Sequence, residues 1–145
     1  MAHMSSFELK SADDFFYQMV IPQHEEFIAN NASSRHALLT TILGYHLFEW
    51  VHGKKFNEDL FLEKYPSHAS MVTVFEQARN ITNGTKHFKS KDTTTKTQRG
   101  FSSAFSPAFA KPLNVIYTDG TSISADEFLG SLVAFWKEQK ANGAF

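Results

Sequence analysis

The chain has 145 residues, 42% of them hydrophobic, with 14 Lys and Arg against 15 Asp and Glu and a net charge of −1 when histidines are neutral. That length suits one domain with a sizeable core, and the near-neutral balance argues against a bulk polyanion binder. The absence of cysteine excludes disulfides, thiolate metal sites and thiol hydrolases, and no run nears the roughly 18 apolar residues of a membrane span, so a soluble cytoplasmic protein is the expectation.

Residues 1–4, Met-Ala-His-Met, read as an expression remnant, and 5–145 as a single domain. Fifteen phenylalanines predict a core built largely of ring contacts. The first helix starts at Ser11, a capping hydroxyl followed by Asp13 and Asp14 in the first turn, where carboxylates meet the positive end of the helix dipole. Phe15, Phe16, Met19 and Val20 give it an apolar side, and Pro22 is expected to break or kink it before a short continuation through Phe27 and Ile28.

The segment "SSRHALLTTILGYHLFEWVHG" carries the strongest helical pattern. It runs from a cap at Ser33 or Ser34 to a stop at Gly53 and is apolar nearly all round, which predicts a central helix enclosed by others. Asn57 starts a short helix that Pro66 ends. Ser67 is read as the cap of a longer one, with Met71, Val74, Phe75, Ala78, Ile81, Thr85 and Phe88 as its buried stripe. Gly84 within that helix costs about 1 kcal/mol relative to alanine, so a kink or early end is expected there.

The Thr-, Ser- and Lys-rich stretch 90–112 lacks periodicity and is read as a flexible loop. After it, 113–124 predicts a β-hairpin turning at Asp119-Gly120. Ser124-Ala125-Asp126-Glu127 forms a capping box that opens a last helix with Phe128, Leu129, Leu132, Val133 and Trp136 inward. The predicted fold is mainly α: a four- to five-helix bundle with one small β-hairpin before the last helix.

The stretch "ARNITNGTKHFKSK", residues 78–91, concentrates groups able to act on a phosphate. Arg79, Asn83 and His87 recur every four residues and so stack along one ridge of a helix. Taking Ala78 as the centre of the buried stripe, they lie about 100°, 140° and 180° from it, away from their own helix's core. Such a ridge is either solvated or lines a cleft against a partner. From Lys86 to Arg99, five basic residues (Lys86, Lys89, Lys91, Lys96, Arg99) face one acid, Asp92, a local balance of +4.

His46 and Glu49, at i and i+3 on the central helix, form a second constellation. Two readings stand: a structural polar pair, with Glu49 partly buried and bonded to His46, Tyr45 or a neighbouring cation, or half of a carboxylate–histidine metal site. The second lacks a matching pair on another helix, His24 with Glu25 and Glu26, or His36, being the nearest substitutes. The structural reading is preferred, with no metal and no cofactor. Trp50 and Trp136 are read as core residues. No P-loop, dinucleotide fingerprint, nucleophile elbow or zinc-finger spacing is present.

Arg79-Asn80 followed by His87, with "HLFEWV" on the central helix, "NGTKHF" on the next long one, then a hairpin and a closing helix containing "FW", resembles the HEPN-domain proteins, in particular uncharacterised bacterial and phage branches. The likeness covers roughly residues 10–140 through short motifs. It implies a small cytoplasmic helical homodimer, and the preferred reading is one that binds a partner, a nucleotide or RNA through a basic polar groove, without catalysis. The alternative it implies is a metal-independent ribonuclease. There His87 acts as general acid or base on a ribose 2′-hydroxyl, Arg79 stabilises the phosphorane, Asn80 or Asn83 orients it, and Lys86, Lys89 and Lys91 hold the backbone. Seven residues separate Arg79 from His87, one more than the family's usual range. On a continuous helix that places them about 12 Å apart along the axis, so the chemistry calls for a kink at Gly84.

Overall fold

The computed structural model describes residues 7–86, 94–97 and 113–145. Its elements follow in the order α1 (Ala12–Phe15), a π-helical turn (Phe16–Val20), α2 (Ile21–Ala29), α3 (Ser34–His52), α4 (Glu58–Lys64), a 3-10 turn (Pro66–His68), α5 (Met71–Lys86), β1 (Thr94–Thr97), β2 (Leu113–Ile116), β3 (Ser122–Ser124) and α6 (Ala125–Ala141). Since α1, the π turn and α2 run on without a break, the described chain forms five helical rods, with a hairpin before the last, as the sequence predicts.

Pro22 does not break the first rod. It cannot donate to the backbone, and in a regular α-helix its ring would press on the carbonyl four residues earlier. The chain answers with the wider turn at Phe16–Val20, where the Ile21 N–H reaches back to the carbonyl of Phe16. Phe15 and Phe16 at the start of that turn, and Val20, His24 and Phe27 beyond it, are all buried.

The other boundaries are set by caps. Ser33 Oγ accepts the His36 N–H at 3.3 Å, and Gly53, at φ 70°, closes α3 by donating to the Glu49 carbonyl. Asn57 caps α4 and Ser124 caps α6. Ser67 lies in the 3-10 turn rather than capping α5, which begins at Met71. The early end expected at Gly84 does not occur: α5 continues through it to Lys86.

α3 packs against α1, α2, α5 and α6, and the core between them is aromatic. Phe75 of α5 lies 5.1 Å from Phe61, 5.5 Å from Phe56 and 5.7 Å from Trp136 between ring centroids. α3 and α6 come close together at Gly44, where a Cβ would sit 2.6 Å from Leu132 Cδ2. Trp136, fully buried, uses that gap to donate from Nε1 to the Gly44 carbonyl at 2.8 Å. Lys140 of α6 pairs with Asp13 of α1 and donates to the Phe145 carbonyl.

The hairpin is one strand wider than predicted. β2 pairs antiparallel with β3 through a turn at Asp119-Gly120, Gly120 taking φ 90°. On its other side β2 pairs with β1, Thr95 opposite Val115, giving the order β1-β2-β3. Four residues of the stretch read as a flexible loop are therefore a strand, and the rest of that stretch lies outside the described residues. Leu113 and Val115 point inward, covering the start of α6. Among the described residues no helix is long and apolar enough to cross a membrane.

Candidate functional site

Of the polar ridge on α5, Asn83 meets the His46–Glu49 pair of α3. α3 and α5 lie side by side, and between them opens a cleft of about 400 Å³ walled by Ile42, Tyr45, His46 and Glu49 from α3 and by Thr82, Asn83 and Thr85 from α5. Lys55 and Phe56, in the connector after α3, close the remaining side. The left-handed turn at Gly53 sends the chain back along α3 and makes this possible.

α5 buries Val72, Phe75, Ala78 and Ile81 and presents Thr82, Asn83 and Thr85 to the cleft. Asn83 is exposed on the cleft wall. Arg79 is half-buried, its guanidinium carbon 5.9 Å from the centroid of the Phe56 ring, so it is held by a cation–π contact instead of being simply solvated. Asn80 is half-buried as well. Lys86 ends the helix, its side chain outside the described part of the chain, and His87 and Lys89 lie outside the described residues altogether.

Glu49 departs from expectation. A helix apolar all round predicts it partly buried, yet it is exposed, and among the described residues it has no ion-pair partner. The reason is that α3 keeps a solvent-facing stripe: Leu39 is 41% exposed, and Ile42, His46 and Glu49 follow it at three- and four-residue spacing. His46 is half-buried, its ring 5.4 Å from that of Tyr45.

Tyr45 is the electrostatic centre of the cleft. Burial pushes its phenol above the ordinary value of 10.0, the Arg79 guanidinium opposes that rise, and the Glu49 carboxylate adds to it. A cation and an anion therefore both act on this hydroxyl, which stays protonated and able to donate at neutral pH. Thr82 adds a buried hydroxyl oxygen that has no hydrogen-bond partner among the described residues.

No protein-family model, no curated protein and no solved structure matches this chain. The chemistry of the cleft is consequently read from its own groups. It offers a carboxylate that only accepts, an ammonium that only donates, an amide and an imidazole able to do either, and aromatic surface from Tyr45 and Phe56. That set suits a ligand with an anionic group at one end and a polar ring at the other. Among the described residues no three His, Asp or Glu side chains converge as a metal site.

Sequence reasoning singled out His46, Glu49 and Asn83 among these walls but missed Lys55, Phe56 and Thr82, and it read Thr85, which is exposed here, as part of the buried stripe of α5. The available signal was Phe56, a single aromatic residue in a polar inter-helix connector, which had to turn inward and carry its neighbours with it. A further polar cluster, Ser67–His68–Glu138, is not among the cleft's walls. His68 Nε2 lies 2.7 Å from Glu138 and Nδ1 3.3 Å from Ser67 Oγ, tying the 3-10 turn to α6.

Proposed function

We propose that this chain is a HEPN-like helical protein, acting in the cytoplasm as a homodimer, that binds RNA or a nucleotide without cleaving it, and that the α3–α5 cleft is where the ligand sits. The reading rests on one observation above all: His46 and Glu49 of α3 share a cleft with Asn83 of α5, Arg79 acting on the Tyr45 phenol beside them. A volume of about 400 Å³ falls within the range of small-ligand sites. Tyr45 supplies a ring on which a base stacks, and Lys55 a point charge for a phosphate. The helical bundle with its late hairpin is the architecture that the resemblance implies.

The test is fluorescence anisotropy of a labelled single-stranded RNA in EDTA, with wild-type protein beside Lys55→Ala and Asn83→Ala. Both substitutions are expected to weaken binding, and Lys55→Ala to lower the slope of log K against log salt by about 1, as loss of one phosphate contact does. Equal binding by all three proteins would remove the cleft from the reading. The RNA is expected to stay intact; cleavage in EDTA that disappears in His87→Ala would favour the ribonuclease alternative with Arg79 and His87. Sedimentation velocity tests the homodimer, which a strict monomer at high concentration would rule out.

A further inference from the structure

We infer that Glu49 gives the cleft a preference for guanine, an inference that rests on the nucleotide-binding reading above. A carboxylate is out of place in a groove that uses cations to hold phosphates, because it repels the ligand's backbone. Glu49 is nonetheless exposed on the cleft wall, without an ion-pair partner among the described residues, and it acts on the same Tyr45 hydroxyl as Arg79. Its backbone is fixed in the last turn of a 19-residue helix, where its own carbonyl accepts the capping N–H of Gly53.

An ionised carboxylate offers two acceptor oxygens and no donor. It is well matched by a base edge with two adjacent donors. Among the common bases guanine alone has one, with N1–H beside the 2-amino group. Adenine sets its N1 lone pair next to a single amino group, cytosine its N3 lone pair, and uracil flanks one N–H with two carbonyls. Each of these puts an acceptor against the carboxylate, which excludes as well as selects. The remaining acceptor of guanine, O6, requires a donor, and the Asn83 amide on the opposite wall supplies one. The Tyr45 ring provides the stacking surface that any base uses.

The experiment is a calorimetric titration of the full chain with GMP, IMP, AMP, CMP and UMP, repeated with Glu49→Gln. Because Glu49 is exposed, the variant is expected to melt like the wild type. GMP should bind roughly tenfold or more tightly than AMP, CMP or UMP, with IMP between because it lacks the 2-amino donor. In Glu49→Gln that preference should collapse to within about twofold while AMP binding is unchanged or improved. Equal affinity for all five in the wild type, or a guanine preference that survives the substitution, would overturn the role of Glu49 and leave the nucleotide reading standing. Binding of none of the five would overturn that reading and this inference with it.

Discussion

Gly44 decides how closely two helices meet. It lies in the middle of α3, where glycine costs about 1 kcal/mol against alanine. That cost is accepted because a methyl group there would drive into the side chain of Leu132, which is fully buried and would have to shift within a packed core. Gly44→Ala is expected to lower stability in urea unfolding by about 1–3 kcal/mol despite its better helix propensity. Combined with Leu132→Ala it should cost less than the sum of the two single changes, since the second opens the space that the first needs. Strict additivity would mean that the two side chains do not compete for one volume. In the sequence this glycine looked like any helix interior position; only the docking of α6 reveals its purpose. Glu49 illustrates the converse, since its identity was legible but its exposure depended on where the neighbours of α3 stop.

At the scale of elements, the ends of α3 and α4 are joined by one polar pair. His52 Nε2 lies 2.7 Å from the hydroxyl of Tyr65, the C-cap of α4. Burial pushes Tyr65 up to about 12, and burial with the nearby Lys64 holds His52 below 6.5. The folded state thus keeps the phenol protonated and the imidazole neutral. For Tyr65 the unfolded chain loses its proton first, so its contribution is fully present below pH 10 and lost as pH rises from 10 to about 12, amounting to about 3 kcal/mol. For His52 the unfolded chain gains its proton first, so stability falls as pH drops below 6.5. His24, lowered by burial and then by Lys137, acts in the same direction. Urea midpoints measured across pH should therefore decline on both sides of neutrality. Tyr65→Phe should flatten the alkaline limb; an unchanged alkaline limb in that variant would show that Tyr65 is not its source.

Across the whole molecule, much of what local chemistry controls could be read in advance, though not the π turn before Pro22 or the start of α5 beyond Ser67, and what pairing controls could not. The rods, their caps at Ser11, Ser33, Asn57 and Ser124, and the turn at Asp119-Gly120 follow from residues within a few positions of one another. β1 was not legible, because Thr94–Thr97 has no apolar alternation and becomes a strand only through its partner β2. The same holds for the cleft: Lys55 and Phe56 join it through a turn, and Asn83 through the side-by-side packing of α3 and α5.

The burial of Trp136 also has an optical consequence. Its indole is sealed among Phe75, Phe135 and Phe145 with its N–H committed to the backbone of α3, whereas Trp50 is half-exposed and stacked 4.9 Å from Phe15. The protein therefore carries two tryptophan fluorophores of different accessibility, one reporting the docking of α6 and the other the seating of α1. Iodide should quench part of the emission and leave a blue-shifted remainder, and Trp50→Phe should leave only that remainder. Complete quenching by iodide in the native protein would contradict this placement of Trp136.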